Sequence, residues 1–483
     1  MPAYRTAVEL IHLLALHQVS ARELCDEAIA RIETLDSRIN AVVIRDFDRA
    51  RQAADAADIA LSRGERRPLL GVPMTVKEQF NIAGLPTTWG HPQFRGWCPE
   101  EDALIVARLK AAGAVILGKT NVPLGLADWQ SYNDLYGTTN NPWDLGRSPG
   151  GSSGGGAAAL AAGMVPLEFG SDIGGSLRAP AHFCGVFSHK PSLDLVPQRG
   201  CGPPQSPAFS VRGDLAVIGP MARSAADLAL ELDMTAGPDE WADGAGYRLI
   251  LPAPRHDQIA NFRVLLLDAH PLCPTARSVT DAVNELAERL GKLGCKVVRS
   301  SSAMPDLAQT TRVYVELLAA FFSADLSSER RERMLATVAR PATDDDSIAA
   351  CRRRGFTLSH SEWILATRRR FALTGQWRAL FRDIDVILCP AMPTLAFPHD
   401  HAPVDERVLD IDGHGVPYGD QIAWATIAIL NGLPATTLPI GRSPEGLPMG
   451  VQIIGGYLED RTTIAFAELI EREFGGFTPP LNI

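Results

Sequence analysis

The chain has 483 residues, of which 46% are hydrophobic and 21% are charged, and its formal net charge is −10. This composition is that of an ordinary globular protein with enough apolar material for a large core. The negative charge argues against sequence-independent nucleic-acid binding, which requires a basic surface.

No feature of the sequence predicts export or membrane insertion. The first 20 residues lack the basic region, long apolar core and cleavage site of a signal peptide, and they predict an amphipathic helix. No apolar run reaches the roughly 18 residues that a membrane span needs. The eight cysteines are scattered without CxxC spacing, which favours reduced thiols. We therefore expect a cytoplasmic, soluble protein that binds neither nucleic acid nor membrane.

Periodic patterns predict helices and strands along the whole chain. The helical patterns cover 20–36 with Ser20 as the N-cap, about 46–62, 101–118 (a helix followed by a strand), 153–163, 224–236 and 277–292. The strand-like segments cover 68–80, 164–169, 296–300, 385–394, 435–441 and 447–456. Because strands recur without a linker or an internal repeat, we predict one large α/β domain over 1–483, with a central mixed sheet covered by helices on both faces.

Residues 305–382 are predicted to form a helical, arginine-rich insertion. Three arginine-rich runs occur there: RRERM at 330–334, CRRRG at 351–355 and TRRRF at 367–371. Such runs are typical of solvated helix faces, which is the interpretation we favour. A basic groove for an acidic substrate is the alternative.

Two loops rich in glycine and serine raise the question of chemistry: SPGGSSGGGAAA at 148–159 and GSDIGGSLRAP at 170–180. Neither contains the phosphate-binding patterns GxxxxGK[ST] or GxGxxG, so a nucleotide site is not predicted. The first loop matches GxSxG, but the polar, proline-containing residues before it cannot form the strand that a nucleophile elbow needs. No serine lies three residues before a lysine, which excludes the SxxK motif.

The second loop has the pattern of an oxyanion hole. Two glycines follow a predicted strand, which allows successive backbone N–H groups to converge on one point. Ser176 comes directly after the glycines, and Asp172 and Arg178 flank the turn at positions from which they could pair. A purely structural glycine turn remains an alternative at this stage, although it explains neither the serine nor the flanking charges.

A serine nucleophile needs a base, and the sequence offers two kinds. Among the histidines, His182 and His189 lie near the loops, but either fits a buried structural histidine. Lys77 ends the apolar run VPMTV, and burial lowers the pKa of a lysine toward neutrality. A structural pairing of Lys77 with Glu78 is the alternative. The HDH sequence at 399–401 is typical of a loop rather than a metal site, so no metal is expected.

Three segments, taken together, resemble the amidase signature family: GVPMTVKE at 71–78, SPGGSSGGGAAALAAG at 148–163 and GSDIGGSLRAPAHFCGV at 170–186. Their order and spacing match the family, with the signature core over about 65–195, and weaker similarity covers most of the chain. The resemblance implies the amidase signature fold. It also implies hydrolysis of carboxylic amides through an acyl-enzyme, without a metal or cofactor. The same acyl chemistry extends to carbamates and esters.

The resemblance implies a Ser–cisSer–Lys triad. Ser176 takes the place of the nucleophile, Ser152 that of the bridging serine and Lys77 that of the base. The peptide bond between Gly151 and Ser152 is expected to be cis.

The remaining site residues also follow from the resemblance. The expected oxyanion donors are the backbone N–H groups of Ile173, Gly174, Gly175 and Ser176. The expected auxiliary residues are Ser153, Gly151, Asp172 and Arg178. Two departures from the family's usual pattern concern substrate preference rather than the triad: Glu78 stands where aspartate is common, and His189 where leucine is common.

The substrate remains open at the sequence level. Trp129, Tyr132 and Tyr136, and also Trp89 and His91, lie near the motifs and are candidates for a pocket that receives a small-molecule amide. One branch of the family supplies ammonia within a tRNA-dependent amidotransferase, so a glutamine-hydrolysing subunit is the alternative function. A non-catalytic binding module is a further alternative, which an intact triad disfavours. A monomer or homodimer is expected.

Overall fold

Fifteen strands and 13 α-helices lie in the part of the chain that the computed structural model describes, which is residues 4–206, 213–324, 326–329, 332 and 345–481. The strands are β1 (Val42–Arg45), β2 (Pro73–Lys77), β3 (Val115–Thr120), β4 (Tyr132–Asn133), β5 (Gly137–Thr138), β6 (Leu167–Asp172), β7 (Phe187–Lys190), β8 (Val217–Ala222), β9 (Arg263–Leu266), β10 (Lys296–Val298), β11 (Val386–Pro390), β12 (Val408–Ile411), β13 (His414–Pro417), β14 (Ala435–Arg442) and β15 (Pro448–Gly455). The helices are α1 (Ala7–Ala15), α2 (Ala21–Ile39), α3 (Phe47–Ser62), α4 (Leu104–Ala111), α5 (Gly154–Ala161), α6 (Arg178–Cys184), α7 (Ala225–Thr235), α8 (Arg277–Lys292), α9 (Leu307–Ser323), α10 (Ile348–Phe356), α11 (His360–Leu380), α12 (Ala423–Leu430) and α13 (Asp460–Phe474).

Eleven of the strands form one mixed sheet in the order β1-β3-β2-β6-β8-β7-β14-β15-β11-β9-β10. Strand β2 runs parallel to both of its neighbours, β3 and β6, and β9 runs parallel to β10 and β11. The other pairs in this sheet are antiparallel. The prediction of a single α/β domain around a central mixed sheet is confirmed, and helices flank the sheet.

The helices begin where local sequence signals predict that they begin. Helix α2 starts with a capping box, in which Glu23 N donates to Ser20 Oγ (3.0 Å) and Ser20 N donates to the Glu23 carboxylate (2.8 Å). These two bonds satisfy amide groups that a helix N-terminus otherwise leaves without partners. The strand predicted at 164–169 continues through Asp172 as β6, so the polar sequence GSD belongs to the sheet and not to the loop after it.

The arginine runs correct one expectation. In TRRRF, Arg368 and Arg369 are exposed, but Arg370 is buried and bonds Asp214 (2.7 Å) and the Leu430 carbonyl (2.8 Å). In CRRRG, Arg352 and Arg354 are half-buried as well. These runs are therefore not simply solvated faces, because part of each run packs inward against the helices and loops around it. The run RRERM at 330–334 lies outside the described residues except for Glu332.

Two parallel strands end side by side and fix where the loops of interest emerge. Lys77 is the last residue of β2, and Asp172 is the last residue of β6, which pairs with β2 in parallel. In α/β sheets, ligand sites form at the carboxyl ends of parallel strands because the loops there converge. Both strands are buried along their whole length, so the polar groups at their ends are held on a rigid base.

Helix α5 explains its composition of glycine and alanine by its position. Every residue from Gly154 to Ala161 is buried, and the helix packs against β6, β2 and β3. A Cβ atom on Gly155 would lie 2.4 Å from the backbone nitrogen of Asn121, closer than real atoms approach. The small side chains therefore let this helix sit directly on the sheet, with its N-terminus at the loop that carries Ser152.

None of the described helices is long and apolar enough to span a membrane. The cysteines are all free, and only Cys98 is exposed.

The close approach of α5 predicts that Gly155→Ala destabilises the protein. The new methyl group would have to displace backbone atoms in a packed core, which typically costs about 1–3 kcal/mol or more. The matched control is Gly375→Ala in α11, where an exposed helical glycine has no atom within 4 Å of the added Cβ. There we expect a gain of about 0.5–1 kcal/mol from helix propensity. Chemical denaturation of both variants measures the two free energies of unfolding, and equal shifts would contradict the packing argument.

Candidate active site

Lys77 lies at the end of β2 and is completely buried. Its Nζ donates to Ser152 Oγ and to Ser171 Oγ, both at 2.8 Å. Burial lowers the pKa of Lys77 to about 7, although the carboxylates of Asp172 and Glu168 act in the opposite direction. This ammonium group therefore loses its proton near neutral pH and is not held in a direct ion pair.

A second hydrogen-bond path fixes how Lys77 is oriented. Ser171 Oγ donates to Gln79 Oε1 (2.5 Å), while Gln79 Nε2 donates to the Cys201 carbonyl (3.2 Å). Because the amide nitrogen is used by a carbonyl, the amide oxygen must face Ser171. Ser171 thus gives its own proton to Gln79 and can only accept from Lys77.

The loop that carries Ser152 begins just before α5. The peptide bond between Gly151 and Ser152 is cis, as the resemblance implies. Ser153 joins this loop to the neighbouring elements: its backbone N–H donates to the Ser176 carbonyl (3.2 Å), and its Oγ donates to the Ser171 carbonyl (3.2 Å). The structure therefore brings Lys77, Ser152 and the turn at Ser176 to one place.

A buried ion pair organises the turn after β6. Arg178 donates to Asp172 through Nε and through the guanidinium end, at 3.0 Å each, and both side chains are almost fully buried. Burial alone would raise the pKa of Asp172, but the Arg178 charge and hydrogen bonds hold it below its usual value. The same carboxylate accepts the backbone N–H groups of Gly175 (2.9 Å) and Leu177 (3.1 Å). The pairing predicted across the base of the turn is thus present.

The carbonyl groups of the turn are also held. Tyr314 donates its hydroxyl proton to the Ile173 carbonyl, and Trp129 Nε1 donates to the Gly174 carbonyl at 2.9 Å. Gly175 has a φ of +96°, a conformation that a side chain would disfavour. The turn is thereby fixed through its carbonyl oxygens and by Asp172.

The amide groups of the turn differ from the expectation at one position. Within the described residues, the backbone N–H groups of Ile173, Gly174 and Ser176 have no hydrogen-bond acceptor. The N–H of Gly175 donates to Asp172 instead. Three of the four expected oxyanion donors are thus available to a ligand, and the fourth supports the turn.

Two cavities meet at Ser176. The first, which we call the Trp129 cavity, is mostly apolar and is lined by Trp129, Gly174, Val315, Leu318, Phe322 and Ile422 among others. The second, which we call the Trp89 cavity, is lined by Trp89, Ser152, Ser171, Cys201 and Phe321 among others. Ser176 and Ile173 border both cavities. A substrate carbonyl at Ser176 could therefore place one substituent in each cavity.

One cation borders the otherwise apolar Trp129 cavity. Arg352 lines it, and the guanidinium donates no hydrogen bond to any described residue. The carboxylate of Asp420 lies close enough to favour its charge, but the two groups form no ion pair within 4.0 Å. A guanidinium in this setting is suited to an anionic group on a ligand.

The other candidates from the sequence have different positions. Tyr132 stacks on His401 with ring centroids 3.9 Å apart, and its hydroxyl accepts from Arg407. Neither Tyr132 nor Tyr136 lines the two cavities, so of the three proposed pocket aromatics only Trp129 does. Trp89 also lines a cavity, whereas His91 does not.

The histidines have structural partners. His182 bonds Gly450 and the Thr394 carbonyl, and His189 bonds Thr436 and Asp460. His399 bonds Asn140. No group of three metal-binding side chains occurs within the described ranges.

Sequence reasoning missed the residues that support the site from elsewhere. Gln79 and Ser171 lie next to predicted site residues, and their position at the ends of adjacent parallel strands is a signal that could have found them. Tyr314 lies on α9, far along the chain from the Ile173 carbonyl that it binds, and no local motif marks it.

Comparisons with known proteins agree with this geometry. The model of the Amidase family matches residues 23–464. AmiB2 of Mycobacterium tuberculosis, an amidase by name, is 35% identical over 476 residues, covering 97% of this chain and 96% of the relative. A glutamyl-tRNA(Gln) amidotransferase component of Anaeromyxobacter sp. strain K is 33% identical and covers 97% and 96% in the same way. A bacterial aryl acylamidase structure superposes with a TM-score of 0.80 at 25% identity, covering 97% of this chain and 96% of that one. The chain is therefore an amide-hydrolysing enzyme of the amidase signature family.

Proposed function

We propose that the protein cleaves the C–N bond of carboxylic amides with Ser176 as the nucleophile, Ser152 as the proton relay and Lys77 as the base. The observation that carries this proposal is the contact of the buried Lys77 amine with Ser152 Oγ at 2.8 Å, in a cavity that Ser152 and Ser176 share. A neutral amine in that position can accept a proton, which a surface lysine cannot do at neutral pH.

The first step uses the fixed polarity of the Lys77 contacts. Lys77 donates a hydrogen bond to Ser171, so its lone pair is directed to the hydroxyl proton of Ser152. Ser152 in turn takes the proton of Ser176 as Ser176 Oγ attacks the carbonyl carbon. The negative charge that develops on the carbonyl oxygen is received by the amides of Ile173, Gly174 and Ser176, because these amides have no other acceptor among the described residues. Donors arranged in advance stabilise such a charge strongly.

Collapse of the tetrahedral intermediate expels the amine. Ser152 donates its proton to the leaving nitrogen and recovers one from the Lys77 ammonium group. Water then attacks the acyl-enzyme by the reverse proton path and releases the carboxylic acid. Because Ser152 borders the Trp89 cavity, we assign the leaving amine to that cavity. The acyl group then occupies the Trp129 cavity, which Gly174 borders.

Glutamine hydrolysis for a tRNA-dependent amidotransferase is the second candidate. It is supported by the amidotransferase relatives, and by the guanidinium of Arg352 in the cavity assigned to the acyl group. An acyl group with a carboxylate would pair with that cation. This candidate also requires partner proteins, which co-purification from the source cell would reveal. Carbamates and esters fit the same machinery.

Ser176→Ala should abolish turnover. We expect a loss of at least about 10⁴-fold in kcat, because removal of the nucleophile leaves only binding and the oxyanion donors. The panel is an anilide, an aliphatic amide, an aryl carbamate, glutamine and the monoamide of a dicarboxylic acid, with the released amine or ammonia measured. The preferred substrate distinguishes the two candidates. Ser206→Ala at the rim of the Trp89 cavity is the control for a lost hydroxyl. Wild-type turnover that persists in Ser176→Ala would refute the mechanism.

The pH dependence should report Lys77. Since burial lowers the pKa of Lys77 to about 7, the protonated and inactive form dominates below that pH. The value of kcat/KM should therefore rise about tenfold per pH unit below pH ~7 and level off above it, without falling until the substrate or fold fails. Lys77→Met should lose about 10²–10⁴-fold and flatten this rise. Collapse of the rate with a metal chelator, or an acidic optimum, would contradict the proposal.

A further inference from the structure

Two buried charges hold a short loop at the edge of the Trp89 cavity. This loop, residues 86–90, which we call the Trp89 loop, lies between the end of β2 and α4 and carries Trp89 into the cavity wall. Lys119 in β3 and Glu78 after β2 are both completely buried next to it. The triad described above uses neither of them, so their burial needs another explanation.

Lys119 holds the first half of the loop. Its Nζ donates to the Pro86 carbonyl (2.5 Å) and to Thr87 Oγ1 (2.8 Å). Lys119 lies within β3, which pairs with β1 on one side and β2 on the other, so it projects from a strand held on both edges. The loop backbone therefore follows the sheet rather than the solvent.

Glu78 holds the second half. One carboxylate oxygen accepts from Thr88 N (2.6 Å) and Thr88 Oγ1 (2.7 Å), and the other accepts from Trp89 N (2.9 Å). The opposite charges of Glu78 and Lys119 attract each other across the loop, although they do not form a direct ion pair within 4.0 Å. Three hydrogen bonds to one carboxylate leave that carboxylate a single geometry.

Trp89 depends on this support. Its φ is +52°, a left-handed conformation that is unfavourable for a bulky residue and persists only where surrounding contacts impose it. Glu78 binds its amide, and the Trp89 carbonyl accepts from Gly125 N at 2.8 Å. The indole ring is only half-buried by the protein and borders the cavity together with Ser152.

We propose that Glu78 is a positioning residue for leaving-group specificity: it fixes the Trp89 loop so that the indole of Trp89 forms a wall against which the departing amine packs, and the favoured amines are aromatic. This inference rests on the proposed function, which assigns the amine to the Trp89 cavity. An aniline ring would lie between Trp89 and the phenylalanines Phe321 and Phe322 on α9, which border the same cavity. Aromatic rings gain from such contacts beyond the area that they bury.

The length of the Glu78 side chain is decisive. Aspartate, common at this position in the family, would draw the carboxylate back by one methylene toward β2. From there it could not reach Thr88 and Trp89 together, since the strand that precedes residue 78 is fixed in the sheet. Glu78→Asp therefore retains the charge that neutralises Lys119 and releases only the position of Trp89.

The test compares two substrates that share one acyl group, an anilide and a primary amide, in wild type, Glu78→Asp and Glu101→Asp. Glu101 is exposed and lines neither cavity, so its variant controls for the same chemical change. We expect wild type to favour the anilide. In Glu78→Asp the ratio of the anilide kcat/KM to the primary-amide kcat/KM should fall about tenfold, mainly through a higher KM for the anilide. The ratio should not change in Glu101→Asp.

A second variant keeps the inference falsifiable if Glu78→Asp does not fold. Trp89→Leu leaves both buried charges intact and should lower the same ratio. Equal losses on both substrates, a change in kcat alone, or a wild type that cleaves the primary amide but not the anilide would overturn the inference. These outcomes all leave turnover dependent on Ser176, whereas turnover that survives Ser176→Ala refutes the proposed function itself.

Discussion

The burial of the Lys77 amine is the constraint on which the site depends. A charged ammonium group without solvent is costly, so a lysine in this position is neutral for part of the time at physiological pH. Solvent is excluded by the fully buried strands β2 and β6 and by α5, which lies on them without large side chains. The glycine and alanine content of α5 is thus connected to the acidity of a side chain on the neighbouring strand.

The Asp172–Arg178 pair plays a complementary part. A buried ion pair is not a reliable source of stability, because desolvation offsets much of its attraction. Here it supplies orientation: the carboxylate binds two amides of the turn, and the guanidinium reaches Gln452 on β15 and the Ala425 carbonyl on α12. The turn with Ser176 is consequently tied to distant parts of the sheet. The remaining amides face the cavities because the carbonyls of Ile173 and Gly174 are bound by Tyr314 and Trp129.

Much of this arrangement could be predicted from local sequence, and the exceptions share a cause. Ser152, Ser176 and Lys77 lie in short motifs whose spacing marks them, and the alternation of helices and strands predicted the sheet. The role of Gly175 could not be predicted, because whether its amide faces Asp172 or a ligand depends on one peptide rotation. The inward arginines, Arg352 and Arg370, were misjudged because a run of like charges does not show which member meets a partner from another part of the chain. Tyr314 was missed for the same reason.

Helix α9 connects the size of the acyl cavity with the geometry of the reacting centre. Its Val315, Leu318 and Phe322 side chains line the Trp129 cavity, and its Tyr314 holds the Ile173 carbonyl. A substitution on α9 that admits a bulkier acyl group will thus also press on the oxyanion turn, and turnover will change together with selectivity. Val404 and Phe356 border the same cavity from outside this helix. An attempt to broaden the acyl range by directed evolution has independent positions there, where pocket volume and catalytic rate can be adjusted separately.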